Sequence, residues 1–287
     1  MWRCPSRRCR PASPAGAAVR PISKATGCAT GAGFGVPPYY HRKLWEDAFI
    51  CQALWEAGLL EPGRRAIGFA VGREPLPAIL ASRGVAVLAT DLAAEDSRAR
   101  DWIKTGQHGT GIDALHRPHL QDRAGFDRLV RFRSVDMSEL PAELQDGSQD
   151  IVWSACAMEH LGSIDRGFAF VEAAMRCLKP GGIAVHTTEM NLDPEGATLT
   201  RGSTVLFQRR HLDALAARLA AQGHRMLRLD DINPPGIMDQ FVDIPPFPVE
   251  IGPLGAMHPP HLRLSVAGFT ATSAGIIVVA GGGSGGT

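Results

Sequence analysis

The 287-residue sequence lacks any apolar run long enough to cross a bilayer, so we expect no membrane span. It also lacks an excess of either charge, because 30 Lys and Arg residues stand against 29 Asp and Glu residues. A nearly neutral chain is not typical of a nucleic-acid-binding protein, and we predict no such partner. Six scattered cysteines without a Cys-x-x-Cys pair indicate a reduced, cytoplasmic protein rather than a disulfide framework or a structural zinc site.

Glycine and proline are abundant, at 32 and 21 residues, and much of the excess lies at the two ends of the chain. Residues 1–38 contain basic but no acidic side chains, and their Pro, Ala and Gly content predicts a disordered basic tail. A transit peptide also fits this composition, but the stretch has no amphipathic period. Residues 281–287 are predicted to form a flexible Gly-rich tail. We place a single large domain at residues 39–280, where the chain is long enough for a substantial core.

Between these ends, apolar segments of strand length and helix length alternate along the chain. Strand, helix and strand in close succession predict parallel strands joined by right-handed crossovers. Repetition of this unit predicts an α/β fold with helices on both faces of a mostly parallel sheet. The predicted strands are Ala66–Val71, Val85–Thr90, Arg131–Val135, Asp150–Ala155, Ile183–Thr188, Arg225–Leu229 and Thr272–Val279, and the predicted helices are Tyr40–Ala57, Pro75–Arg83, Ala93–Lys104, Ile164–Leu178 and Arg210–Gln222.

Candidate ligand-binding residues follow the predicted strands, because parallel sheets of this kind bind ligands at the carboxyl ends of their strands. The first strand runs into a turn where the small residues Gly68, Ala70 and Gly72 allow a ligand close to the backbone. Asp91 and Asp136 end the second and third strands, and an acid after the second strand is suited to a ribose diol. Taken singly, each signal is also explained by an ordinary tight turn or a capping carboxylate.

A longer pattern in the second half of the chain is more specific. The stretch Asp150-Ile-Val-Trp-Ser-Ala precedes Glu159-His-Leu, and after a helix the chain continues as Leu178-Lys-Pro-Gly-Gly. In this pattern the sequence resembles the class I S-adenosylmethionine-dependent methyltransferases, within the bacterial methyltransferase type 11-like group. The resemblance implies a Rossmann-like, doubly wound sheet of seven mostly parallel strands, with an antiparallel last strand between the fifth and the sixth. It also implies S-adenosyl-L-methionine as the cofactor.

The resemblance further implies which residues contact that cofactor. The turn at Gly68–Gly72 is expected to wrap the methionine end, and Asp91 is expected to bind the ribose hydroxyls. Asp136 is expected to face the adenine amino group, and Ser154 to lie beneath the sulfonium. The full set of expected cofactor contacts is Gly68, Ala70, Gly72, Glu74, Asp91, Leu92, Asp136, Met137, Ser154 and Ala155.

The first glycine motif departs from the family pattern, which has an acid followed by glycines at alternate positions. Gly68 stands at the position of the acid, Ala70 replaces the first glycine, and Glu74 replaces the third. We therefore expect Glu74 to replace the missing carboxylate toward the cofactor's amino group. The departure also leaves open a non-catalytic binding protein with a decayed site. A nicotinamide-dependent oxidoreductase is a further alternative, although this chain lacks the G-x-G-x-x-G motif that such enzymes normally carry.

Histidines and one carboxylate are the candidates for catalysis. A hydroxyl acceptor benefits from a base, and histidine is suited to that task near neutral pH. His160, just after the fourth strand, is the first candidate; His186 lies within the fifth strand, and His108 lies in the long segment after the second strand. Glu189, at the end of the fifth strand, is expected to hydrogen-bond the acceptor or to cap the next loop. Each of these residues also fits a structural role.

The histidines that follow the second strand do not predict a metal site. His108, His116 and His119 lack cysteine partners, and a loop cluster of this kind is more often incidental, even with Asp113 or Asp122 nearby. We therefore predict no metal.

The acceptor is expected to be a small molecule or a glycan that is methylated on oxygen. Segments outside the common core are expected to select it, namely the leading helix with Tyr39, Tyr40 and Trp45 and the insertions at residues 92–130 and 233–260. The second insertion is rich in proline and is predicted to cover the acceptor. A plain surface connection explains this insertion equally well.

Overall fold

Strands and helices alternate along the part of the chain that the computed structural model describes, which is residues 40–227, 236–247 and 259–282. The strands are β1 (Arg65–Gly68), β2 (Ala86–Asp91), β3 (Val130–Ser134), β4 (Gln149–Ala155), β5 (Leu178–Asn191), β6 (Arg225–Leu227), β7 (Val242–Asp243), β8 (Arg263–Val266) and β9 (Phe269–Val279). The α-helices are α1 (Arg42–Glu56), α2 (Leu76–Ser82), α3 (Arg100–Lys104), α4 (Arg123–Leu129), α5 (Ile164–Met175), α6 (Arg209–Ala221) and α7 (Ile237–Gln240).

One mixed sheet runs through these residues in the order β3-β2-β1-β4-β5-β9-β8-β7, and β6 also pairs with β9. Neighbours from β3 to β5 are parallel, whereas β9 is antiparallel to both β5 and β6. The predicted doubly wound α/β fold, with its antiparallel last strand between β5 and β6, is confirmed. Because the strand order reverses between β1 and β4, the loops after these two strands form the edge where such sheets bind ligands.

The sheet exceeds the seven predicted strands, because the described residues form nine. The additional strands are β7 and β8, which extend the sheet beyond β9. β8 and β9 form a hairpin whose two turn residues, Ala267 and Gly268, both have positive φ angles of 48° and 86°. A two-residue turn of this kind matches the twist of the paired strands. The sequence pattern missed β7 and β8 because both strands are very short.

Two buried clusters pack on opposite faces of the sheet. Successive side chains of a strand point to opposite faces, so Val152 of β4 joins one cluster and Trp153 joins the other. The first cluster contains Phe168 of α5, and the second contains Leu54 of α1. Helices therefore cover both faces, and only the ends of the strands are left to form a ligand site.

Several elements differ from prediction. The helix predicted at Ala93–Lys104 is wrong in its first half, because α3 begins only at Arg100, after a 3₁₀ turn that Asp96 caps. β1 stops at Gly68 rather than Val71, because Ala70 adopts a left-handed φ of 50° and turns the chain out of the sheet. β5 extends past the predicted Ile183–Thr188 at both ends. Helix α4 was not predicted, and it begins at Asp122, whose carboxylate caps the first turn.

Several predictions concern residues outside the described ranges. These are the tail at residues 1–38, residues 283–287 of the second tail, and much of the insertion at 233–260. The described part of that insertion adds α7 and β7 at the edge of the sheet. Its role as a cover for the acceptor stays a prediction. Within the described ranges, every helix is too short or too polar to cross a membrane.

Candidate functional site

The turn that follows β1 passes very close to a segment of the first insertion. Gly72 has a left-handed φ of 53°, and a Cβ atom there would lie 2.6 Å from the carbonyl oxygen of Gln107. At Gly109, a Cβ atom would lie 2.6 Å from the carbonyl oxygen of Gly72. Glycine is therefore needed at both positions for the two backbones to meet. We call residues Gln107–Gly109 the strap, because they lie against this turn.

Asp91, the predicted ribose ligand, is fixed by three backbone amides. Its Oδ1 accepts a hydrogen bond from the Leu92 N–H at 2.8 Å. Its Oδ2 accepts hydrogen bonds from the Gly109 N–H at 2.8 Å and from the Gly72 N–H at 3.2 Å. The end of β2 thus holds a buried carboxylate in one orientation at the ligand-binding edge of the sheet.

The strap also places His108 against the end of β2. Its Nε2 atom lies 2.8 Å from the carbonyl oxygen of Leu92, and its buried Nδ1 atom has no hydrogen-bond partner. His116, by contrast, lies 3.0 Å from the carbonyl oxygen of Gln121 through its Nε2 atom. In the described part of the chain, no three His, Cys, Asp or Glu side chains converge as a metal site.

The missing acid of the first motif has a structural explanation. The ring of Trp153, on the neighbouring strand β4, fills the space beside Gly68, and any Cβ atom at Gly68 would overlap that ring. The indole Nε1–H of Trp153 donates a hydrogen bond of 2.7 Å to Oε1 of Glu74. Glycine at position 68 therefore makes room for an indole that anchors the carboxyl group of Glu74.

A second carboxyl group, on helix α1, lies close enough to interact with Glu74. Burial, with a further contribution from Glu46, raises the pKa of Asp47 to about 8. Burial, and then the charge of Asp47, raises the pKa of Glu74 well above its usual value. Both groups therefore favour the neutral form, and a cation bound between them would favour the ionised form. Sequence reasoning missed Asp47, although charged residues within an otherwise apolar helix were a usable signal.

Asp136 and Met137, predicted near the adenine, follow β3. The Asp136 Oδ2 atom pairs with the Arg98 guanidinium at 2.7 Å, and Oδ1 accepts hydrogen bonds from the backbone and hydroxyl of Ser138. Burial opposes ionisation, but the hydrogen bonds from Ser138 and Arg98 outweigh it and lower the pKa of Asp136. Met137 is buried. Asp136 is thus an ionised acceptor already paired with an arginine of the first insertion.

Ser154 and Ala155 form the last two residues of β4, and the chain then turns at Cys156 with a left-handed φ of 44°. The hydroxyl of Ser154 lies 2.8 Å from Nδ1 of His186. His186 is fully buried against Phe170, and burial lowers its pKa to about 3. His186, which the sequence offered as a candidate base, is therefore a neutral histidine enclosed in the core that orients Ser154. No acceptor can reach it in this arrangement.

His160 lies in a short 3₁₀ turn that follows β4. Its Nδ1 atom is 3.0 Å from the carbonyl oxygen of Ser203. A carbonyl oxygen can only accept, so Nδ1 carries the proton of the neutral ring and Nε2 keeps its lone pair. The ring also packs edge-to-face on Trp102, with 4.7 Å between centroids. The Thr204 hydroxyl lies 3.2 Å from the same Nδ1 atom and can either accept from it or donate to it. The structure thus fixes the orientation of the His160 ring, and the contact with Ser203 favours the tautomer with the proton on Nδ1.

Glu189 lies at the end of β5, where it meets charged residues of helix α1. Its Oε1 atom is 2.7 Å from Nη2 of Arg42. The other terminal nitrogen of Arg42, Nη1, lies 3.1 Å from Oε1 of Glu46. Glu46 is fully buried, and it accepts further hydrogen bonds from Lys43 at 3.0 Å and from the Ser273 hydroxyl at 2.5 Å. Burial opposes ionisation of Glu46, but its two cations lower its pKa to about 2. Both cations are therefore neutralised within the fold.

Glu159, which sequence analysis named only as part of a motif, is a fully buried carboxyl group close to Glu189. Its Oε2 atom accepts a hydrogen bond of 3.0 Å from the Thr188 hydroxyl, whereas its Oε1 atom has no partner. Burial raises its pKa more than His160 lowers it, and the charge of Glu189 raises it further. Glu159, Glu189 and His160 therefore lie close to one another at the ends of β4 and β5.

Comparison with known proteins adds independent information about the matched core. Residues 69–186 match a family model described as a methyltransferase domain. No curated protein matches the chain. Among solved structures, the chain is similar to a putative sarcosine dimethylglycine methyltransferase from Galdieria sulphuraria, with 19% identity over 63% of this chain and 60% of that one and a TM-score of 0.44. The chain thus spans less than two thirds of that relative's length.

Two further structures are similar over more of the chain. The magnesium protoporphyrin IX methyltransferase from Synechocystis PCC 6803 shares 11% identity over 83% of this chain and 82% of its own, with a TM-score of 0.47. The 1,6-didemethyltoxoflavin-N1-methyltransferase from Burkholderia thailandensis shares 15% identity over 85% of this chain and 79% of its own, with a TM-score of 0.46.

The strand order and the domain match agree with the resemblance seen in the sequence. Residues 69–186 match the methyltransferase-domain model, and the strand order agrees with the fold that the resemblance to the class I S-adenosylmethionine-dependent methyltransferases implies. This result favours the methyltransferase over the nicotinamide-dependent oxidoreductase among the alternatives that the sequence left open.

Proposed function

We propose that this protein transfers a methyl group from S-adenosylmethionine to a hydroxyl group of a small-molecule acceptor. When bound, S-adenosylmethionine supplies the methyl group on a cationic sulfonium centre. The chain offers suitable partners at the carboxyl ends of the strands and on helix α1: the fixed carboxylate of Asp91 for the ribose, and the half-buried carboxyl groups of Asp47 and Glu74 for the ammonium group. Their partly buried positions favour a ligand that brings positive charge and hydrogen-bond donors.

The single observation that carries the proposal is the contact of 3.0 Å between Nδ1 of His160 and the carbonyl oxygen of Ser203, which favours the tautomer with the proton on Nδ1. Because Nδ1–H donates to the Ser203 carbonyl group, Nε2 is the free lone pair of the ring. Nε2 would take the proton of the acceptor hydroxyl as the methyl C–O bond forms and the methyl C–S bond of the donor breaks, with S-adenosylhomocysteine as the leaving group. The Ser203 carbonyl oxygen stabilises the resulting positive ring. This arrangement is typical of a general base whose other nitrogen is held by a hydrogen bond.

The charged residues near His160 indicate which charge the acceptor carries. Arg42 and Lys43 are neutralised by Glu46 and Glu189, and the unpartnered Oε1 of Glu159 is a further acceptor. This environment favours a neutral acceptor whose hydroxyl groups donate hydrogen bonds, and it disfavours a phosphorylated or carboxylated acceptor. A hydroxyl-rich sugar, free or within a glycan, fits the same description.

A radiolabel-transfer assay with a panel of acceptors tests the proposal. Hydroxyl, amine, phosphorylated and carboxylated small molecules are incubated with methyl-labelled S-adenosylmethionine, and we expect label on neutral hydroxyl compounds. His160→Asn keeps a donor toward the Ser203 carbonyl oxygen but removes Nε2, so we expect kcat to fall about 10²- to 10⁴-fold. Transfer to amines alone, or full activity of the variant, contradicts the proposal.

The controls separate catalysis from folding. Affinity of the His160→Asn variant for S-adenosylhomocysteine is expected to equal that of the wild type, because His160 is assigned to the acceptor. His224→Asn is the matched variant, since the Nδ1 atom of His224 also bonds to backbone, at Gly281, on the opposite edge of the sheet. It is expected to retain full activity.

A further inference from the structure

The carboxylate of Asp91 does not have enough free acceptor sites for both hydroxyls of a ribose. A carboxylate offers about four lone-pair sites. Backbone N–H groups of Gly72 and Gly109 take both sites on Oδ2, and the N–H of Leu92 takes one on Oδ1. One site is left on Oδ1. A second acceptor is therefore needed if both ribose hydroxyls are to donate hydrogen bonds here.

His108 provides an acceptor of the required kind next to Asp91. The carbonyl oxygen of Leu92 can only accept a hydrogen bond, so the Nε2 atom of His108, 2.8 Å away, must carry the proton. Nδ1 consequently has a lone pair. The Nδ1 atom is buried and has no partner, and His108 as a whole is 4% exposed. The adjoining residue Gly109 donates directly to Asp91, which places His108 beside this carboxylate. A buried acceptor without a donor costs free energy, which a donating ligand would recover.

We propose that His108 is a cofactor-binding residue whose Nδ1 atom accepts a hydrogen bond from one ribose hydroxyl, while Asp91 Oδ1 accepts the other. The strap is then part of the cofactor site rather than of the acceptor site. The close backbone contact between Gly72 and Gly109 fixes the strap against the turn, so the ring and the carboxylate form one preorganised pair of acceptors. The inference rests on the S-adenosylmethionine-dependent class of the domain and is independent of the base assigned to His160.

Calorimetry with matched variants and ligands tests this assignment. His108→Gln retains an N–H donor toward the Leu92 carbonyl oxygen but removes the Nδ1 acceptor. His116→Gln is the matched control, since the Nε2 atom of His116 also bonds to a backbone carbonyl, that of Gln121. The ligands are S-adenosylhomocysteine and its 2′-deoxy and 3′-deoxy analogues, which lack one ribose hydroxyl each.

We expect His108→Gln to weaken binding of S-adenosylhomocysteine about tenfold, corresponding to the loss of one hydrogen bond to a buried acceptor. The variant should also bind one deoxy analogue about tenfold more weakly than the wild type does. Its affinity for the other analogue should equal that of the wild type, because this second analogue lacks the hydroxyl that donates to His108. His116→Gln should bind all three ligands as the wild type does. Equal loss for all three ligands, or no loss at all, overturns the proposal.

Two further results are distinguishable. If the wild type binds no S-adenosylhomocysteine, both the cofactor assignment and this inference fail; if it binds normally but methylates no hydroxyl compound, only the proposed acceptor fails. If His108→Gln does not fold, the proposal is tested instead by the ¹⁵N chemical shift of His108 Nδ1 in the wild-type protein, measured with and without S-adenosylhomocysteine. A hydrogen bond from ribose moves this resonance upfield on ligand binding, and an unchanged shift overturns the proposal.

Discussion

Asp47 should give this protein a measurable pH dependence of stability. The carboxyl group has an ordinary pKa of 3.8, whereas burial and Glu46 raise the pKa of Asp47 to about 8 in the folded chain. Between these values the Asp47 carboxyl group holds one proton more in the folded protein than in the unfolded chain. Proton binding to the folded state means that the free energy of unfolding falls as pH rises, with a slope of about 1.4 kcal/mol per pH unit. Above the higher value both states are ionised and the slope ends.

The substitution Asp47→Asn removes this titration while keeping the size of the side chain. From pH 5 to pH 8 the wild type should lose about 4 kcal/mol more of its unfolding free energy than the variant does, three times the slope per unit. Urea denaturation of both proteins at pH 5, 6.5 and 8 measures this difference. Glu56→Gln is the matched control, since Glu56 is an exposed carboxylate on the same helix. If the wild-type and Asp47→Asn stabilities stay parallel across this range, the reasoning about this buried carboxyl is refuted.

Two other substitutions test the packing around the site. Glu46→Gln removes the charge that neutralises Arg42 inside the fold, and we expect a loss of about 3 kcal/mol in urea denaturation; a change below about 1 kcal/mol would contradict the assigned ion pairs. Gly68→Ala forces the Trp153 ring aside, so we expect a loss of about 1–3 kcal/mol together with weaker binding of S-adenosylhomocysteine, measured by calorimetry. An unchanged affinity would show that the indole has no part in shaping the cofactor site.

The sequence by itself determined the fold class and the edge of the sheet that carries the site. Apolar runs of strand length alternate with amphipathic helices, and such local periodicity depends only on neighbouring residues. Asp91 ends β2 as predicted, and the run from Asp150 to Gly182 marked β4 and the start of β5. Predictions failed where local signals are weak: β7 has two residues, and β8 has four.

Only the tertiary structure decided which side chains meet. Trp153 reaches past Gly68 to Glu74 because β4 pairs in parallel with β1, and no sequence period reports that register. The roles of Asp47 and His108 likewise arise from burial and from partners brought together by the packing of α1 and of the strap. Burial changes the charge that a carboxyl group prefers and leaves a ring nitrogen without a donor, and burial is a property of the folded chain rather than of its residue order.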